Sequence, residues 1–98
     1  MNRLYVIQYG TQVIKGLVSP RELPELVRIF YGASAKRGAT ADYLGEGVFL
    51  AVKHNVKLTL TIGAYHKSMP SRILVDVLEE TMEKVFINEQ LTNEDYEK

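Results

Sequence analysis

The sequence predicts an α+β fold: two β-hairpin-plus-helix units in the order ββαββα, with an antiparallel sheet of about four strands packed against two helices. Three observations carry that expectation. Two pairs of short segments rich in β-branched and aromatic residues are each split by a two-residue linker of turn-forming residues. Each pair is followed by a serine-proline cluster that signals a helix start. A chain of 98 residues has material for one hydrophobic core and not for two.

The first pair is LYVIQY, 4–9, and QVIKGLV, 12–18; Gly10-Thr11 between them suits a type II′ turn, which favours glycine first. The second pair is GVFLAVK, 47–53, and VKLTLTI, 56–62, joined by His54-Asn55, where asparagine tolerates a positive φ. Ser19-Pro20-Arg21-Glu22 fits a capping box ahead of LPELVRIFYG, but Pro24 suits only a first turn and delays the regular helix to that point. Ser68-Met69-Pro70-Ser71 precedes a second helix that ends near Leu91 and has an apolar face of Leu74, Val75, Leu78, Met82, Val85 and Phe86. Residues 1–91 thus read as one domain and 92–98 as an acidic, mobile tail.

Between the two units lies YGASAKRGATADYLGEG, 31–47, with four of the chain's seven glycines. A phosphate-cradling loop needs lysine and then serine or threonine directly after its last glycine, between a strand and a long helix; this segment follows a helix and lacks that order. It reads instead as a connection. Gly32 is expected to stop the first helix in the left-handed region, Thr40 to cap a single turn of Ala41 to Leu44, and Gly45 to end that turn. A connection of roughly 15 residues is long for a compact domain, so Ser34, Lys36 and Arg37 become candidate anion contacts, with Tyr31 or Tyr43 as a stacking face.

The two faces of the sheet carry the functional expectation. Pairing 53 with 56 places Phe49, Ala51, Val56, Leu58, Leu60 and Ile62 on one side and Lys57, Thr59 and Thr61 on the other. Val48, Leu50 and Val52, however, share the lysine and threonine side. The first hairpin is mixed in the same way, with Tyr5, Ile7, Tyr9 and Ile14 against Leu4, Val6, Val13 and Leu17. One layer of helices covers one face of a sheet, which leaves apolar surface in need of a cover. Ile73, Ile87 and Leu91 fall off the main apolar face of the second helix and add to it. A C2 homodimer, the commonest oligomer, is the expected cover.

Composition narrows the remaining classes. An apolar fraction of 46% and a charged fraction of 24% exclude a disordered chain. The longest apolar run, VFLAV at 48–52, is far below the roughly 20 residues of a membrane span. The chain has no cysteine, hence no disulfide framework and no thiolate nucleophile, and its N-terminus does not read as an export signal, so a cytoplasmic protein is expected. The zero net charge hides an asymmetry: residues 36–75 carry six basic and two acidic groups, and residues 76–98 carry two basic and eight acidic ones.

Catalytic material is thin. His54 and His66 stand at opposite ends of one strand and its following turn, roughly 30 to 40 Å apart if straight. Asp42 and Glu46 are separated by a glycine-bearing stretch that fixes no geometry. The acids of the C-terminal segment lack the pattern of a calcium loop, and no metal-ligand spacing occurs, so neither metal nor organic cofactor is expected. Six of the nine aromatics are tyrosine, a residue enriched at protein interfaces.

The expectation is therefore a non-enzymatic, homodimeric protein-binding or regulatory module: a regulator, inhibitor or assembly accessory. Its candidate interface residues are Tyr5, Tyr9, Tyr31, Tyr43, Ile73, Ile87 and Leu91. The alternative is a nucleic-acid-binding protein using Ser34, Lys36, Arg37, Lys53, Lys57, Lys67 and Arg72, with Lys57, Thr59 and Thr61 lining a sheet face. A third class is a small enzyme whose site forms between subunits around 31–47.

Overall fold

A computed structural model of the chain describes residues 1–88; Leu91 and the expected tail 92–98 lie outside them. The elements run β1 (Asn2–Tyr9), β2 (Gln12–Val18), a 3₁₀ turn (Leu23–Glu25), α1 (Leu26–Lys36), β3 (Thr40–Gly45), β4 (Val48–Lys53), β5 (Val56–His66), α2 (Leu74–Glu83) and a closing π-helical turn (Lys84–Asn88). The class is α+β as expected, but the sheet has five strands in the order β2-β1-β5-β4-β3, all neighbours antiparallel.

The predicted hairpins form with the predicted registers. Tyr9 pairs with Gln12 across Gly10-Thr11, where only the glycine takes a positive φ, of 56°, as a type II′ turn requires. Lys53 pairs with Val56 across His54-Asn55, whose φ values of 48° and 68° make the linker a type I′ turn. The hairpins join through β1 and β5, with Ile7 beside Leu60 at the centre. Both of these side chains are fully buried.

The additional strand comes from the segment expected to be a connection. Helix α1 does not stop at Gly32: a Cβ there would meet nothing, so the position is an ordinary exposed turn of the helix. Gly38 stops it instead, with φ at 76°. The Gly38 amide donates to Ala35 O at 3.1 Å and the Ala39 amide to Ser34 O at 2.9 Å, the paired bonds of a Schellman motif. The chain then reverses into β3, and Thr40 to Gly45 are paired along β4 in place of the expected helical turn. Gly45, Glu46 and Gly47 all take positive φ in the β3–β4 connection. Gly47 is required there, since a Cβ would approach Ile62 O to 2.9 Å.

Both helices pack on one face of the sheet. Phe30 and Ala33 of α1 and Leu74, Leu78 and Met82 of α2 meet Ile7, Phe49, Leu58 and Leu60 in a single core. Two charged side chains fix the helices. Arg37, its side chain only 11% exposed, donates to Glu83 Oε1 at 3.1 Å and Ala33 O at 3.0 Å and pairs with Glu79 Oε2 at 2.6 Å, tying the end of α1 to α2. Glu22 does not box the first helix. Its carboxylate accepts from the Leu74 and Val75 amides at 3.2 and 3.1 Å, so it caps the start of α2 across the fold.

Candidate functional site

The face of the sheet away from the helices is open, and its composition follows from the strand registers. Leu17 stands beside Leu4; the next row carries Lys15, Val6, Thr61 and Val48; the next Val13, Gln8, Thr59, Leu50 and Asp42; the last Lys57, Val52 and Thr40. Seven aliphatic side chains therefore share this face, and among the described residues no element lies over it. Neighbouring strands half-bury five of them, while Leu4 and Val13 remain 37% and 50% exposed. The only charges in these rows are Lys15 on β2, Asp42 on β3 and Lys57 at one end of β5.

The residues singled out in the sequence are dispersed by the fold. Tyr5 and Tyr9 point into the core at 4% and 7% exposure, so they do not present an interface on this surface. Tyr31 and Tyr43 are exposed but occupied as a latch. The Tyr31 hydroxyl accepts from the Tyr43 amide at 2.9 Å, and the Tyr43 hydroxyl accepts from the Gly47 amide at 3.1 Å, while the Tyr43 ring leans on Phe49 at 4.7 Å. Ile73 is 55% exposed just before α2, Ile87 is half-buried in the closing turn, and Leu91 lies outside the described residues.

The basic set is largely engaged within the chain. Lys36 pairs with Glu79 at 3.6 Å, Arg37 with Glu79 and Glu83, and Arg72 with Glu80, while Lys53 donates to Phe86 O at 3.1 Å. Ser34 is fully buried and donates to Phe30 O at 2.8 Å, which removes it from any surface contact. Lys57 and Lys67 are exposed, and Lys57 shares the open face with Thr59 and Thr61 as expected.

Among the described residues, the histidines and the loop acids do not converge. His54 sits in the β4–β5 turn; His66 ends β5, where its Nδ1 accepts from the Ser68 amide at 3.1 Å. Among the described residues no cluster of histidine, aspartate and glutamate is arranged to hold a metal. An open cleft of about 580 Å³ lies between α1 and the β3–β4 connection, floored by Leu26, Phe49 and Ile62 with Arg3 and Glu46 at its rim. Arg3 is already directed elsewhere, donating from Nε to Gly63 O at 2.8 Å and covering the Tyr65 ring at 5.1 Å. Neither His66 nor Asp42 lines this cleft.

The open face was half visible in the sequence, which gave its apolar members on β1, β2 and β4 but not the contribution of β3. Asp42 read as a loop acid and becomes one of three charges on the face. The face is a broad, mostly aliphatic surface with sparse charge at its margins. No helix among the described residues is long and apolar enough to cross a membrane. No protein-family model matches the chain, and neither the curated proteins nor the solved structures contain a significant match.

Proposed function

We propose that this chain is a non-enzymatic protein-binding module, a small regulator, inhibitor or assembly accessory, that works as a homodimer joined through the open face of its sheet. The observation that carries the reading is the set of seven aliphatic side chains on a face that no element covers among the described residues. Burying such surface is favourable by about 25 cal/mol per Å², and two sheets stack face to face about 10 Å apart with their side chains interdigitated. The result is a four-layer assembly, helices outside and two sheets within. The absence of cysteine fits a reducing, cytoplasmic setting.

A strand-based nucleic-acid reader would draw on Lys57, Thr59 and Thr61 of the same face, but Lys36, Arg37 and Arg72 are paired with carboxylates of α2. Of that candidate set, Lys57 and Lys67 remain as exposed cations for a phosphate backbone.

Light scattering across a range of concentrations tests the reading, with Leu50→Lys as the variant. Leu50 lies between Thr59 and Asp42 on the open face, so a lysine there gains a cross-strand carboxylate and leaves the core untouched. The expected result is a dimer for the native chain, persisting in high salt, and a folded monomer for Leu50→Lys with an unchanged circular dichroism spectrum. A native chain that stays monomeric at every concentration, or a Leu50→Lys variant that dimerises as well as the native chain, overturns it.

A further inference from the structure

The open face is large enough for a second copy. Five strands about 4.8 Å apart, four of them six to eight residues long and β5 eleven, at about 3.3 Å per residue give roughly 600 Å² before side-chain relief is counted, about three quarters of the ~800 Å² each partner contributes to a stable interface. Two identical sheets stacked face to face are related by a two-fold axis lying between them. That axis runs either along the strands or across them.

Across the strands, β2 lies over β2 of the other copy and β3 over β3. Lys15 then approaches Lys15, and Asp42 approaches Asp42. Along the strands, with the axis over the central strand β5, β2 of each copy lies over β3 of the other and β1 over β4. Val6 and Val48 occupy the same row, so they face each other twice. Lys15 and Asp42, one row apart on opposite edges, come together across the interface within reach of a lysine stem. Lys57, on the axis strand, bears a like-charge cost in this arrangement. It stands in the last row of the face, beside the β4–β5 turn, where its stem can carry the ammonium past the sheet into water.

We infer that the homodimer's two-fold axis runs along the strands, with Lys15 of each copy paired to Asp42 of the other. The inference rests on the sheet-face homodimer proposed above and specifies its geometry. Charge pairs of this kind act mainly by suppressing wrong registers, since like charges in apposition are costly.

A charge-swap cycle tests it. Within one copy Lys15 and Asp42 sit on opposite edges of the sheet, four strand spacings or roughly 19 Å apart. That exceeds the ~8 Å screening length at physiological salt, so coupling between the two positions must act between copies. Sedimentation equilibrium on the full chain is expected to show K15E and D42K each weakening the dimer about tenfold, with K15E/D42K restored to the native constant. Circular dichroism checks that all three variants fold. If the native chain dimerises but the double variant is no better than the product of the singles, or the singles have no effect, the axis assignment is wrong, and Leu50→Lys separately decides the sheet-face reading. If the native chain does not dimerise at all, both fall.

Discussion

Tyr5 shows how a single side chain can be held by what its neighbour lacks. Its ring crosses from β1 to cover Gly16 on β2, so closely that a Cβ on Gly16 would come within 2.5 Å of the phenol oxygen. Burial pushes the Tyr5 phenol above its usual value; the Arg72 guanidinium opposes that rise and the Glu22 carboxylate adds to it. A phenol with a raised value in the fold keeps its proton longer there than in the unfolded chain, which titrates near 10. Its contribution to stability is therefore complete below about pH 10 and is lost as pH climbs through the folded value. Tyr5→Phe removes the ionisable group and keeps the ring over Gly16. Melting temperatures followed from about pH 8 to about pH 11.5 should fall more steeply for the native chain than for Tyr5→Phe above about pH 10. Parallel curves would show that the phenol does not couple to folding.

At the scale of elements, α2 depends on a residue far from it in sequence. Ile73, its N-terminal boundary residue, offers no side-chain cap, and Glu22 supplies a carboxylate to the first two amides. Glu22→Ala leaves those amides without this acceptor and should cost about 1 kcal/mol, or roughly 4–8 °C in melting temperature for a domain of this size, with Glu22→Gln recovering part of the loss. An unchanged melting temperature for Glu22→Ala would mean that water caps α2 equally well. The same distance explains what the sequence could and could not convey. The hairpins and their registers were legible because β-branched runs alternate about short linkers, and the core side of β4 and β5 followed directly from pairing 53 with 56. Strand β3 was not legible: none of Thr40 to Gly45 is buried, so an edge strand held by its ladder and by the Tyr31–Tyr43 latch carries no hydrophobic alternation. Its glycine and aspartate content imitated a turn. Glu22 looked like the local half of a capping box because Ser19 stands three residues before it, and nothing local reveals that α2 ends up within its reach. Of the open face, the aliphatic stripe could be read from parity alone; its margins of charge needed the strand order, which places β2 and β3 at opposite edges.

The whole molecule is organised about the seam between β1 and β5, the first and last strands of the described residues. Without it the sheet divides into a two-stranded hairpin and a three-stranded meander, β3-β4-β5, neither with both helices to cover it. Forming the seam closes the longest loop in the fold, so its entropy must be lost before most of the core exists. Ile7, fully buried and paired with Leu60, sits in the middle of that seam. Val85, equally buried, belongs to the closing turn after α2, which can dock once the sheet is complete. Ile7→Val should destabilise the domain by about 1 kcal/mol through a small cavity, and Val85→Ala by about 1–3 kcal/mol, both large enough for the rates to be partitioned. If seam formation is the barrier, stopped-flow chevrons will place most of the Ile7→Val loss in slower folding and most of the Val85→Ala loss in faster unfolding. The reverse partition would mean that the two halves meet only after the barrier, and that α2 and its closing turn assemble before the sheet is joined.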